Sequence, residues 1–332
     1  MNLHTIYTIN KLLTFLCVPF SFNKKYRRKI LSHLNKINIG YYIKNIEKKT
    51  YAQYMLKDGY NLALRDGNGD TLLTLAALPE FERIYKGKVK VFIKPSHEYL
   101  MKMFNLTNYF VVNAFKDKLL YMMPINKKDY PTKGDIWFVN HRYNKNVKTG
   151  VEHFANFKEE ILSLLNLPLT TELVFPEFKP QISKEFLNKL QKYCSVDKIV
   201  LLIPEANSKV VGNLTYWEDL ASLLKKEGYC VFANIMCSKN KIKNADLNED
   251  FSMEDLISLG FSCKAIVSIR NGLCDILHKR GKALFVFDTS QSLPKSKKYF
   301  NLNDLYGRND INEYFDEKHI SSADIVKQIL SL

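Results

Sequence analysis

From Tyr60 onward, short apolar runs alternate with longer stretches in which apolar positions recur every third or fourth residue. The first pattern predicts buried strands and the second predicts amphipathic helices. NLALR, KVKVFIKP, YFVVNA and IWFVNHR (136–142) read as strands; TLLTLAALPEFERIY and SHEYLMKMF read as helices, the second capped by Ser96. Residues 151–167, VEHFANFKEEILSLLNL, keep helical spacing, and LPLTTELVFPEFKPQIS, with three prolines and little periodicity, predicts a linker. Alternation then resumes. KIVLLIPEA, CVFANIM, AIVSI and ALFVFD predict strands, between which TYWEDLASLLKKEG, ended by Gly228, SMEDLISLG and GLCDILHKRG predict helices. Ser252 with Asp255, and Ser321 with Asp324, have N-cap spacing. Apolar strands separated by helices imply parallel sheets covered on both faces, hence an α/β chain.

At 332 residues the chain exceeds the size at which a single core stops growing, so two domains are expected. The pattern places an arm at 1–50, a first Rossmann-like domain at 51–170 and a second at 171–332. Apolar residues make up 46 % and aromatic residues 13 %, which excludes a disordered chain. The net charge of +15 is uneven: residues 1–50 hold ten Lys/Arg against the single Glu47, a net +9. Within this arm, LLTFLCVPFSF (12–22) runs straight into NKKYRRK. Spanning a bilayer takes about 20 apolar residues, so the run is too short to cross. Its basic cluster follows the apolar run, the reverse of a secretory signal. An apolar stretch beside a basic cluster fits an anionic membrane surface, which implies a peripheral protein at the cytoplasmic face. No zinc-finger spacing or RNP-like pattern points to nucleic acid. Six cysteines without C-x-x-C or regular spacing give no disulfide framework or zinc site, as in a reducing cytosol.

Two turns carry the candidate chemistry: RDGNGDTLLTLAAL (65–78) and IVSIRNGLCDIL (266–277). Each runs from a strand through a glycine-containing turn into a helix with an acid, Asp70 or Asp275, at its mouth. The first N–H groups of a helix lack intrahelical partners and carry partial positive charge, so such mouths can face an anion. Ligands of open α/β sheets sit outside the carboxyl ends of the strands. Arg142, the turn Pro204–Ser208 and the turn Arg270–Gly272 fall there too, so they could share a cleft with Asp70. Each acid could equally serve only its own helix.

GNGDTLLTLAAL resembles the GD-x-[VL]-[LH]-T-[LV]-P-A-L opening of the heptosyltransferase-like family of bacterial glycosyltransferases. HFANFKEEILSLLNLPL, IVLLIPEANSK and WEDLASLLKKEGYCVFAN resemble further family segments in the family's order, over roughly residues 60–290. The resemblance implies the GT-B fold, two Rossmann-like domains with parallel sheets facing a central cleft, and Asp70 as catalytic base. The position of the turns and strand ends, rather than the resemblance, offers donor contacts from Glu205, Asn207, Ser208, Lys209, Arg270, Asn271, Gly272 and Asp275, and acceptor contacts from Asn68, Gly69, His141, Arg142 and His153. The family's Lys-x-Trp-Pro is absent, and its Asp-x-Gly-x-x-His strip is replaced by SIRNGLCDIL.

The implied reaction is inverting transfer from a nucleotide-sugar to a lipid-linked, lipopolysaccharide or capsule glycan acceptor. A base removes the acceptor hydroxyl proton as the anomeric carbon is attacked, and positive charge meets the departing phosphate. The sequence holds no Asp-x-Asp, so no metal or other cofactor is expected. The alternatives are a nucleotide-sugar epimerase, which can share the fold, and a non-catalytic membrane-associated binding protein.

Overall fold

The computed structural model describes residues 54–64, 67–112, 129–139, 153–177, 182–206, 213–288, 299–315 and 318–332. Among these, strands β1 (Tyr60–Ala63), β2 (Val89–Ile93), β3 (Tyr109–Val111) and β4 (Ile136–Phe138) form one parallel sheet of order β3-β2-β1-β4. Strands β5 (Ile199–Ile203), β6 (Cys230–Asn234), β7 (Leu247–Glu249), β8 (Ala265–Ile269), β9 (Leu284–Phe287) and β10 (Asn312–Tyr314) form a second parallel sheet, β10-β9-β8-β5-β6-β7. Between them run helices α1 (Asn68–Tyr85), α2 (Glu98–Met103), α3 (Phe157–Leu164), α4 (Lys184–Leu190), α5 (Leu214–Lys226), α6 (Met253–Ser262), α7 (Gly272–Ile276), α8 (Leu302–Tyr306) and α9 (Ser322–Leu330). This is the expected α/β architecture with two parallel sheets.

The central strands are apolar on both sides because both sides are covered. Along β5, Ile199, Leu201 and Ile203 enter one core while Val200 and Leu202 enter another. In β9, Leu284 and Val286 join the first core and Phe285 and Phe287 the second. The second core lies under α5 and α9 and holds Trp217, Leu220, Ile325 and Ile329. The first core is larger. It runs on without a break into Leu62, Leu72, Leu75, Phe81, Leu100 and Ile161, the interior of the first sheet and its helices. Both sheets accordingly belong to one compact unit.

Ser252 and Ser321 accept from the backbone N–H groups of Asp255 and Asp324, as their spacing predicts. Gly228 follows α5 at φ +81°, a conformation that glycine adopts without a Cβ clash. Ser96 caps nothing: it lies within a 3-10 turn, Pro95–His97, because Pro95 fits a first helical position and the α-helix starts only at Glu98. The edge strands β7 and β10 escape the apolar pattern because their residues, LNE and NEY, are half-buried. Cys194 and Cys230, for which spacing gives no pairing, are bonded, with Cα atoms 6.5 Å apart. Pro79 inside α1 withdraws the donor that Leu75 would receive. Beside this break the N–H of Val174, in the predicted linker, bonds the Ala76 carbonyl at 2.9 Å. Among the described residues no helix is long and apolar enough to cross a membrane.

Candidate active site

Within the described residues, each candidate turn leads into a helix, as its sequence predicts. Gly67 is extended ahead of α1, and its N–H donates to Asp70 Oδ2 at 3.0 Å, while Thr71 N–H returns to the Gly67 carbonyl at 3.1 Å. Asp70 thus serves the backbone at the mouth of α1 and remains half-buried. At the other turn, Arg270 N–H bonds the Phe287 carbonyl, and Asn271 Oδ1 caps α7 by accepting from Leu273 N–H at 2.9 Å. The helix that follows is short: α7 ends at Ile276 and gives way to a 3-10 stretch, 277–283.

The two mouths meet. A Cβ placed on Gly69 would stand 2.5 Å from Asp275 Oδ2. One placed on Gly272 would stand 2.9 Å from Asn68 Cβ and 3.1 Å from Gly69 N. Only residues without a Cβ permit this approach, which explains the glycine in each motif by packing as well as by turn geometry. Residues over two hundred positions apart therefore share one small site: Asn68, Gly69, Asp70, Arg270, Asn271, Gly272 and Asp275.

Arg270 departs from the expected open anion-binding fork. Its Nη1 and Nη2 each donate to a different oxygen of Asp275 at 2.7 Å, and its Nε donates to the Phe300 carbonyl at 3.0 Å. The pair is enclosed, with side-chain exposures of 10 % and 4 %. A buried charge needs a partner, and the acid five residues on supplies a bidentate one. Burial opposes the Arg270 charge, but Asp275 outweighs it and holds the guanidinium pKa above its ordinary value. Tyr306 hydroxyl donates to Asp275 Oδ1 at 2.9 Å, and burial, then the Asp275 charge, pushes its pKa well up.

Residues with no motif to single them out in the sequence complete the site. His278 stacks on Tyr306, with ring centres 4.0 Å apart, and Phe175, from the stretch after α3, packs edge-on against both rings. His97, following β2, meets Thr71 Oγ1 at 3.1 Å, one residue from Asp70. Tyr99 hydroxyl is buried without a hydrogen bond among the described residues; burial and then Asp275 raise its pKa. Each arrives through a tertiary contact, which leaves no local signal.

Glu205 lies at the same carboxyl end of the strands, two residues beyond Ile203 as Arg270 is beyond its paired Ser268. Its buried carboxylate accepts from the N–H groups of Met236 and Cys237 at 2.6 and 3.1 Å and from Asn240 Nδ2. It pins the loop after β6, so its expected donor contact would have to share a carboxylate already engaged. His153 is exposed in a turn before the Asn156 cap of α3. His141, Arg142, Asn207, Ser208 and Lys209 lie outside the described residues. Among the described residues no group of three or more His, Cys, Asp or Glu is placed to hold a metal ion.

No family model and no curated protein matches this sequence. Solved structures do match its fold. An ADP-heptose LPS heptosyltransferase II from E. coli aligns with a TM-score of 0.55 at 12 % identity, covering 82 % of this chain and 98 % of the other. A family 9 glycosyltransferase from Veillonella parvula DSM 2008 aligns at 0.54 and 11 % identity, covering 84 % and 99 %. TibC, described as an iron-containing dodecameric glycosyltransferase from enterotoxigenic E. coli H10407, aligns at 0.52 and 11 % identity, covering 83 % and 76 %.

Proposed function

We propose that this chain, which carries the heptosyltransferase-like GT-B fold, is a nucleotide-sugar glycosyltransferase that inverts the anomeric centre without a metal. The observation that carries the reading is the contact of the two helix mouths, in which Gly69, next to Asp70 in α1, abuts Asp275, the partner of Arg270. Fold alone does not select an activity, so the site must.

In this reading Asp70 accepts the proton of an acceptor hydroxyl as its oxygen attacks the anomeric carbon. The carboxylate is oriented for that by the Gly67 N–H. The nucleotide lies against the second sheet near Glu205, Asn271 and Asp275, with Lys209 as the cation for the departing phosphate. Arg270, held by Asp275, shapes this wall and offers phosphate its fork only if the pair opens. The acceptor is a lipid-linked, lipopolysaccharide or capsule glycan. The basic arm, by its sequence, favours work at the cytoplasmic face of an anionic inner membrane.

Thermal-shift screening over nucleoside diphosphates and their sugars tests the site, since a ligand at 100 times its Kd stabilises by about 2.7 kcal/mol. The expected result is a shift with one base, retained in Asp70→Asn while transfer falls by at least about 10³-fold, within the range ascribed to proton transfer. Full turnover in that variant would overturn the base assignment. Interconversion of free donor without acceptor would make the protein an epimerase. Transfer lost to a chelator and restored by a divalent ion would overturn metal independence.

A further inference from the structure

The carboxylate of Glu160 sits in the first turn of α3 yet is only 3 % exposed, and nothing in the proposed chemistry uses it. Buried acids are rare unless a partner holds them. One partner here is the hydroxyl of Tyr299, which donates to Glu160 Oε2 across 139 positions of sequence. Tyr299 is itself buried. Its ring packs on Phe157 of α3, at 5.8 Å between centres, and edge-on against Phe300, at 4.8 Å. Phe300 packs on Phe157 as well, at 5.3 Å. The peptide joining Tyr299 to Phe300 is therefore fixed from the α3 side by a hydrogen bond and two ring contacts, and its neighbouring Phe300 carbonyl is the one that takes Arg270 Nε.

The geometry points to Glu160 as a positioning residue for Arg270, acting through Tyr299 and the Phe300 carbonyl. The guanidinium is a rigid plane with donors on two edges. On one edge Asp275 takes Nη1 and Nη2 while the Asn271 carbonyl also takes Nη1, at 2.7 Å, and the Phe300 carbonyl holds the Nε edge. With both in place the plane cannot turn, so the wall behind the donor site is set from a helix that touches no donor. Releasing the Tyr299 hydroxyl loosens the Phe300 carbonyl, so the Nε edge of Arg270 loses its fixed acceptor and the plane can tilt about the edge that Asp275 and the Asn271 carbonyl still hold. The proposal rests on the donor-site reading above.

Three variants test it. Tyr299→Phe keeps the ring and removes the hydroxyl; Glu160→Leu removes the acceptor; Glu160→Gln keeps an amide oxygen that accepts the same hydroxyl. Tyr299→Phe and Glu160→Leu are expected to raise the donor KM about tenfold with kcat within about twofold, while Glu160→Gln stays near the unmodified chain. A loss of melting temperature with the donor KM unchanged would reduce Glu160 to a fold support and overturn the proposal.

A second measurement stands apart from activity. Arg270→Lys keeps a positive charge for Asp275 but has no Nε donor for Phe300. In a cycle of Tyr299→Phe, Arg270→Lys and the double variant, the melting shift caused by Tyr299→Phe should shrink by at least half in the Arg270→Lys background. Additive shifts would overturn the linkage whatever the protein's substrate. If no donor is turned over while the cycle still couples, the glycosyltransferase reading fails and the connection from Glu160 to Arg270 stands.

Discussion

Asp70 and Asp275 both lie in the first turn of their helices and have different surroundings. Asp70 accepts from a backbone N–H at a half-buried mouth; Asp275 is enclosed with Arg270 and Tyr306. Two histidines near them are enclosed as well, at 3 % exposure for His97 and 6 % for His278. Burial holds the pKa of each down to about 4. An unfolded histidine titrates near about 6.5. Between those values the unfolded chain binds protons that the folded chain refuses, so stability is full above about pH 6.5 and falls until about pH 4. Thermal unfolding should therefore show a falling Tm as pH drops through that window. The variant His97→Asn/His278→Phe should lose at least ~1 kcal/mol of this dependence, since a tenfold change in proton affinity is worth about 1.4 kcal/mol. An unaltered slope would place both rings in water. Neither histidine is legible in sequence, because burial is a property of what arrives around a residue.

At the scale of elements the strands and long helices could be read from the pattern. β5 and β8 are unbroken apolar runs, α5 has a clear apolar stripe, and two serines cap as their spacing requires. What the pattern could not supply was the pairing of α1 with α7. A turn glycine is the same letter whether it allows a left-handed backbone or a close crossing, and here Gly69 and Gly272 serve the crossing. Gly272→Ala should cost about 1–3 kcal/mol, the range for an atom forced into a packed contact. Urea unfolding measures it, and a loss under ~0.5 kcal/mol would mean that the tips stand apart in solution. The short α7 was also hidden: its apolar spacing continues past Ile276, while Gly281, at φ +53°, lies in the 3-10 stretch that follows.

For the molecule as a whole, the larger core runs from one sheet into the other, so the halves stabilise one another as well as flanking a site. The basic arm is a separate matter and lies outside the described residues, so its partner rests on sequence. Near an anionic membrane each basic residue is worth about 1 kcal/mol. Removing residues 1–46 should then weaken sedimentation with anionic vesicles by tenfold or more, and unchanged binding would end the membrane reading. The sequence by itself determined the α/β alternation and two acid-bearing helix mouths, because periodicity and capping act over a few residues. Tertiary structure alone decided that Arg270 faces Asp275 rather than open solvent, and that Tyr306 and Glu160 belong to its surroundings. Those contacts join positions 5, 31 and 139 residues apart, and an apolar pattern records that a face is buried without recording against what.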